Sequence, residues 1–73
     1  MAFTDEQLKE IFTYHTWNAL QQKQGESLRD AALTFAKVIV SVTKPSADQS
    51  AAIRKLRECV MTVNASITFD GKF

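Results

Sequence analysis

Apolar residues recur at spacings of three and four along most of this 73-residue chain. That is the period of an α-helix. Leu8, Ile11 and Phe12 set the spacing first. Thr4 followed by Gln7 has the form of a capping box, and Asp5 and Glu6 suit the positive end of a helix dipole. A short helix is therefore predicted over about residues 5–14, ending near Tyr14-His15. Residues 16–19 read as a connector. The longest stripe follows: Leu28, Ala31, Ala32, Phe35, Val38, Ile39 and Val42, which predicts a helix over about 19–43. Gly25 lies inside this pattern at a cost of about 1 kcal/mol relative to Ala, and marks either the true start or a kink. The β-branched run Val38-Ile39-Val40 would suit a strand, but its helical frame and the lack of a partner strand favour helix.

Lys44-Pro45 stops that helix, because the residue before proline avoids the α region. Ser46 with Gln49 reads as a second capping box and opens a third helix over about 47–68. Its seam is Ile53, Leu56, Val60, Val63 and Ile67, broadened by Ala52 and Cys59. The tail, residues 69–73, reads as irregular. Two long helices joined by a few residues pack antiparallel. The expected fold is all-α, one domain over residues 1–73: a helical hairpin with a short N-terminal helix covering one end. Its core is thin. Trp17, Val40, Met61, Phe69 and Phe73 have no obvious place inside it and together would form an exposed patch large enough to mark an interface.

Composition sharpens this picture at a few points. Hydrophobic residues at 45% and charged residues at 23% exclude a disordered chain, and two Gly with one Pro argue against a turn-rich β fold. Below about 70–80 residues a single core rarely supplies more than ~3–5 kcal/mol, so small domains usually carry a staple. Cys59 is the only cysteine and His15 the only histidine, which leaves neither a disulfide nor a zinc site. Self-association remains, and a homo-oligomer is expected. The longest strongly apolar stretch, residues 38–42, is far too short to span a bilayer, so no membrane partner is expected. The acidic start Met1-Ala2-Phe3-Thr4-Asp5-Glu6 has no apolar signal core, and a cytosolic, thiol-reducing location is expected. A net charge of +1 is too small for general nucleic-acid binding, and no DNA partner is expected. The charge is nonetheless uneven. Residues 1–36 hold three bases against five acids, whereas residues 37–73 hold six against three.

The reactive side chains do not form a catalytic set. His15 and Cys59 lack a third group, and Cys59 reads as a buried thiol on the third-helix seam. Asp5, Glu6 and Glu10 read as a solvated helix start rather than paired acids in a cleft. No glycine-rich phosphate loop is present. Arg54, Lys55 and Arg57 read as an ordinary charged face with Glu58. Arg29 lies beside the apolar stripe rather than opposite it. It suits either a bidentate phosphate contact at an interface rim or an ion pair with Glu26 or Asp30. Tyr14, with His15 and Trp17 nearby, would either stack on a nucleobase or plug the end of the hairpin.

Tyr14-His15, Leu28-Arg29-Asp30-Ala31-Ala32, Phe35-Ala36, Leu56-Arg57-Glu58, Val60-Met61 and Asn64-Ala65-Ser66-Ile67 occur in an order that resembles one family of small phage proteins. These are the anti-CBASS cyclic-nucleotide sponges, and the resemblance covers about residues 12–68. It implies a compact helical protein that assembles as a homohexamer in the host bacterial cytoplasm. It implies binding of cyclic dinucleotides, such as cyclic GMP–AMP, between protomers without cleavage and without a cofactor. In the family the tyrosine of the Tyr-His pair stacks on nucleobases and a basic residue early in the long helix contacts phosphate. Those roles fall on Tyr14 and Arg29, with His15 part of the same motif. Some members also hold cyclic trinucleotides at a separate site; here Thr68-Phe69-Asp70 lacks the basic residue such a site would need. Thr16-Trp17 stand where many relatives have prolines. The alternative expectation is a small helical module that inhibits a host protein through an exposed apolar face.

Overall fold

A computed structural model describes residues 2–73. Three helices follow in order: α1 (Asp5–Ile11), α2 (Ala19–Val42) and α3 (Ala47–Thr68). The described residues contain no strand. The helix starts follow from their caps. Thr4 Oγ1 accepts from the Gln7 backbone N–H (3.1 Å) while Gln7 Oε1 accepts from the Thr4 N–H (2.9 Å). Asn18 and Gln21 form the same reciprocal pair at the start of α2, at 2.8 and 2.9 Å. Each box satisfies two orphan donors of a helix end. At α3 only half of the expected box forms. Ser46 Oγ accepts from the Gln49 N–H (3.1 Å), but the Gln49 amide turns to Thr43 Oγ1 (2.9 Å) and ties the loop to the end of α2.

The first helix ends at Ile11, earlier than predicted. Phe12 leaves the helical region at φ −100°, ψ 10°. The Thr13 hydroxyl donates to the Lys9 carbonyl, and His15 Nε2 donates to the Glu10 carbonyl at 2.7 Å. Side chains thus take the carbonyls that a further turn would have used. The second helix ends at Val42, and Thr43 is extended ahead of Lys44-Pro45. The tail is an ordered turn, not irregular. Asp70 (φ 50°) and Gly71 (φ 76°) are left-handed. The Gly71 N–H donates to the Ser66 carbonyl at 3.0 Å, and the Asp70 N–H to Ile67 at 3.3 Å. This is a Schellman motif, with Asp rather than Gly in the first left-handed position.

α2 and α3 pack on each other as an antiparallel hairpin. Leu28, Ala32, Ala36 and Ile39 on α2 face Ile53, Leu56, Val60, Val63 and Ile67 on α3, all half-buried. Among the described residues no side chain is fully buried; Gly25 alone is buried. Two helices cannot enclose a core, because each buries only one stripe. The dimensions say the same. The radius of gyration is 15.5 Å, against about 11 Å for a compact chain of this length. The accessible surface is 6101 Å², against about 4500 Å² for a compact monomer of this mass.

α1 makes no close backbone approach to either long helix. Side chains alone hold it, against the outer side of the α3 C-terminus. Lys72 Nζ and Glu10 Oε1 pair at 2.8 Å. Phe69 meets the His15 ring edge-on at 5.0 Å and the Phe73 ring at 5.3 Å. Phe69 therefore has an intramolecular place, contrary to expectation, and Glu10 makes a solvent-exposed ion pair across to the tail.

Candidate functional site

Helical periodicity places Arg29 on one flank of the hairpin. On α2, Gly25, Arg29, Leu33, Ala36 and Val40 recur at three and four along a single side. On α3, Ile53, Arg57, Met61, Asn64 and Thr68 do the same. The two rows border each other. Ala32, Leu33 and Ala36 share a 350 Å³ groove with Ile53, Arg57 and Met61. At the other end of the same flank, Trp17 bridges both helices.

Trp17 decides how the connector, residues 12–18, is held. Its indole lies over Gly25: a Cβ built there would stand 2.7 Å from Trp17 Cη2 and closer still to Cζ3. Its Nε1–H donates to Thr68 Oγ1 at 2.7 Å, and the Thr68 hydroxyl donates on to the Asn64 carbonyl at 2.9 Å. Trp17 is thus internal packing, not a leftover surface group. Gly25 is neither a helix start nor a kink; it is the flat spot that admits the indole. Asn64 Oδ1, nearby on the same row, is buried without a hydrogen-bond partner among the described residues.

This anchoring presents Tyr14. His15 is held to Glu10 and Phe69, and Trp17 to Gly25 and Thr68, while Tyr14 between α1 and these anchors is 88% exposed. It makes no hydrogen bond or aromatic contact among the described residues. Tyr14 is therefore not a plug; Trp17 has that place. Arg29 stands one helical turn beyond Gly25, about 6 Å along the axis, on the side that Trp17 covers. The ion pair with Glu26 or Asp30, one of the two alternatives for Arg29, does not form: among the described residues the ion pair is Lys72–Glu10. The structure thus leaves Tyr14 and Arg29 both exposed and without an intramolecular polar partner among the described residues, with His15 half-buried as an anchor; no contact joins Tyr14 to Arg29.

Cys59 is exposed, not buried in the seam. It is adjacent to seam residue Val60, but the helix turns about 100° per residue, which carries it off the α2-facing stripe. No group of His, Cys, Asp or Glu among the described residues is arranged to hold a metal ion. Among the described residues no helix is long and apolar enough to cross a membrane. The opposite flank carries a larger, polar cleft of 780 Å³ lined by Gln21, Gln24, Ser66 and Asp70. Asp70 is the charged group on its lining, so this cleft repels an anion.

Sequence reasoning missed the Trp17–Gly25 lock and the place of Arg57 on the groove. The sequence holds a signal for each. Asn18 three residues before Gln21 marks the α2 start and leaves Gly25 mid-helix, where only a close approach explains it. Arg57 is one turn from Ile53 and Met61, on the flank rather than the back of α3. What the fold defines is a class: an all-α chain built on an open helical hairpin. Compared with known proteins, it matches no family model, no curated protein and no solved structure.

Proposed function

We propose that this chain is a phage immune-evasion sponge: a homo-oligomer that binds cyclic dinucleotides and sequesters them intact, blocking CBASS signalling. The observation that supports the reading is that Tyr14 and Arg29 are both exposed and, among the described residues, free of intramolecular polar partners, while the Trp17 and His15 side chains beside Tyr14 are held. An exposed phenol ring stacks on a base, worth about 1–3 kcal/mol. A free guanidinium makes charge-assisted, bidentate contacts to a phosphodiester. Neither needs a catalytic group, and the proposed protein is not an enzyme.

The surface excess supports assembly. The protomer exposes about 1600 Å² more than a compact monomer of its mass, about twice the ~800 Å² that each partner contributes to one standard interface. Leu33, Phe35, Val38, Val40, Val42 and Met61 are exposed along the hairpin. Assembly of such protomers builds pockets at their junctions, and a two-fold pair offers two Tyr14 rings and two Arg29 side chains to a ligand with two bases and two phosphates. The resemblance in sequence sets the expected assembly at six copies and the location in the host bacterial cytoplasm.

The test is recovery. Protein is incubated with cyclic GMP–AMP, the free pool is measured by filtration, and the protein is then heat-denatured. Intact nucleotide that leaves the free pool and returns after denaturation supports sequestration. Conversion to a linear product would make the protein an enzyme. A free pool that never falls at micromolar protein leaves the apolar hairpin face as a docking surface for a host protein instead.

A further inference from the structure

We propose that α1 of one protomer docks in the α2–α3 groove of a second copy: its Leu8–Phe12 ridge fills the groove, and its acidic start meets Lys37 and Arg57. This rests on the self-association half of the reading above and is independent of the ligand.

Three observations carry it. The first is that α1 has two faces. Its inner face is in use: Ile11 lines a 330 Å³ pocket with Ala65 and Phe69, and Glu10 reaches Lys72. Asp5, Leu8 and Phe12 recur at three and four on the other side. Leu8 and Phe12 are exposed there, with Phe3 just ahead of the cap. This apolar ridge touches nothing in a helix whose other face is already docked.

The second observation is the shape and charge of the groove. The 350 Å³ stretch runs on into another of 480 Å³ through the shared Ala36 and Ile53. Leu33, Val40 and Met61 are its exposed apolar side chains. Leu33 to Val40 covers about 10 Å of helix axis, the same rise as Asp5 to Phe12. The charged residues on the lining are Lys37 and Arg57, with no acid among the described residues. α1 brings Asp5 and Glu6 against one free base, Lys9, because Glu10 is taken up by Lys72. An acidic ridge and a basic-rimmed apolar groove are complementary in charge as well as in shape.

The third is area. The surface excess is about twice one partner's share of a standard interface. A protomer that gives its ridge to one contact and its groove to another uses two such patches. The groove cannot take its own α1, which is clasped to the far end of α3 by Glu10–Lys72 and His15–Phe69, while the groove runs toward the loop at Ser41. The occupant is therefore the helix of another copy. Tyr14 follows the ridge by two residues, so this contact carries the exposed phenol to the seam between copies.

The experiment is sedimentation of the full-length chain and its variants over a range of concentrations, with circular dichroism confirming that each variant stays helical. The wild type is expected as a multimer. Phe12→Glu on the ridge and Met61→Glu in the groove should each weaken assembly by about a hundredfold or more, through lost burial and a stranded charge. Leu33→Glu serves as a second groove variant. The deciding arm mixes ridge and groove variants. Phe12→Glu keeps an intact groove and Met61→Glu an intact ridge, so an equal mixture should form a two-chain complex that neither forms alone. Lys37→Glu with Arg57→Glu should weaken assembly up to about tenfold. Arg54→Glu with Lys55→Glu, the same charge change off the lining, should stay within about twofold. A wild-type multimer that survives Phe12→Glu, or mixtures that restore nothing with either groove variant, would overturn the docking and leave self-association standing. A wild type that sediments as a single chain at every concentration ends both.

Discussion

Replacing Gly25 with Ala separates the two forces that act at that position. In an ordinary helix interior the change stabilises by about 1 kcal/mol, because Ala costs less backbone entropy than Gly. Here the new methyl would stand 2.7 Å from Trp17 Cη2, with Cζ3 nearer. Helix backbone holds the methyl rigidly, so the indole must leave. It then gives up burial worth about 1.5–3 kcal/mol for a large apolar side chain and the bond to Thr68, worth about 0.5–1.5 kcal/mol net. The loss exceeds the gain, and a net destabilisation of about 1–3 kcal/mol is expected, in the range of overpacked sites. Each kcal/mol lowers the melting temperature of a domain this size by about 4–8 °C. Trp17 is the only tryptophan, so its emission reports the displacement directly, while far-UV circular dichroism follows unfolding at a fixed protomer concentration. The control is the Trp17→Leu background, where Gly25→Ala should become neutral or stabilising. A Gly25→Ala protein that melts higher than wild type with unchanged tryptophan emission would refute the reasoning, because it would mean the indole does not rest on that helix.

Two further outcomes follow from the site and its clasp. Tyr14→Ala and Arg29→Ala should each weaken cyclic-dinucleotide binding by about 1–3 kcal/mol, read by calorimetry, without changing oligomer mass; normal binding by both removes the site. Lys72→Ala should change stability by less than about 1 kcal/mol, because the pair with Glu10 is solvent-exposed. Phe69→Ala, which removes the ring between His15 and Phe73, should cost about 1–3 kcal/mol and loosen α1 in hydrogen exchange. Equal effects of the two variants would show that the ion pair, not the aromatic cluster, holds α1.

The all-helical class and the hairpin were legible in the sequence because each rests on local rules. The three-and-four spacing of Leu28, Ala32 and Ile39, the stop at Lys44-Pro45 and the seam from Ile53 to Ile67 need no tertiary knowledge. What escaped was decided by contacts between distant residues. Trp17 and Thr68 are 51 positions apart, and nothing near either one announces the bond. Phe69 looked stranded because His15 meets it from the distant connector, and Phe73 only after the Asp70-Gly71 turn. Cys59 was misread because it adjoins seam residue Val60, although the helix turns it outward. Gly25 shows the general point: a helix-weakening residue left in place is a sign of something packed against it.

The site divides along the same line. Tyr14 and Arg29 were visible as residue types with suitable chemistry, but the exposure of Tyr14 depends on the path of the connector across the hairpin. That path is set by Trp17 and His15, whose partners sit on α3 and at the end of α1. Arg57 looked like one of several charges on a solvated face; only the pairing of α2 with α3 turns it toward the same groove as Leu33.

The central claim is that open hairpins complete one another and hold a cyclic dinucleotide in the assembled state. Native mass spectrometry of the protein with cyclic GMP–AMP tests it in one spectrum. The account predicts a discrete multimer of the 8.2 kDa chain whose mass includes whole nucleotides, released unaltered on denaturation. A single chain carrying no nucleotide would contradict it.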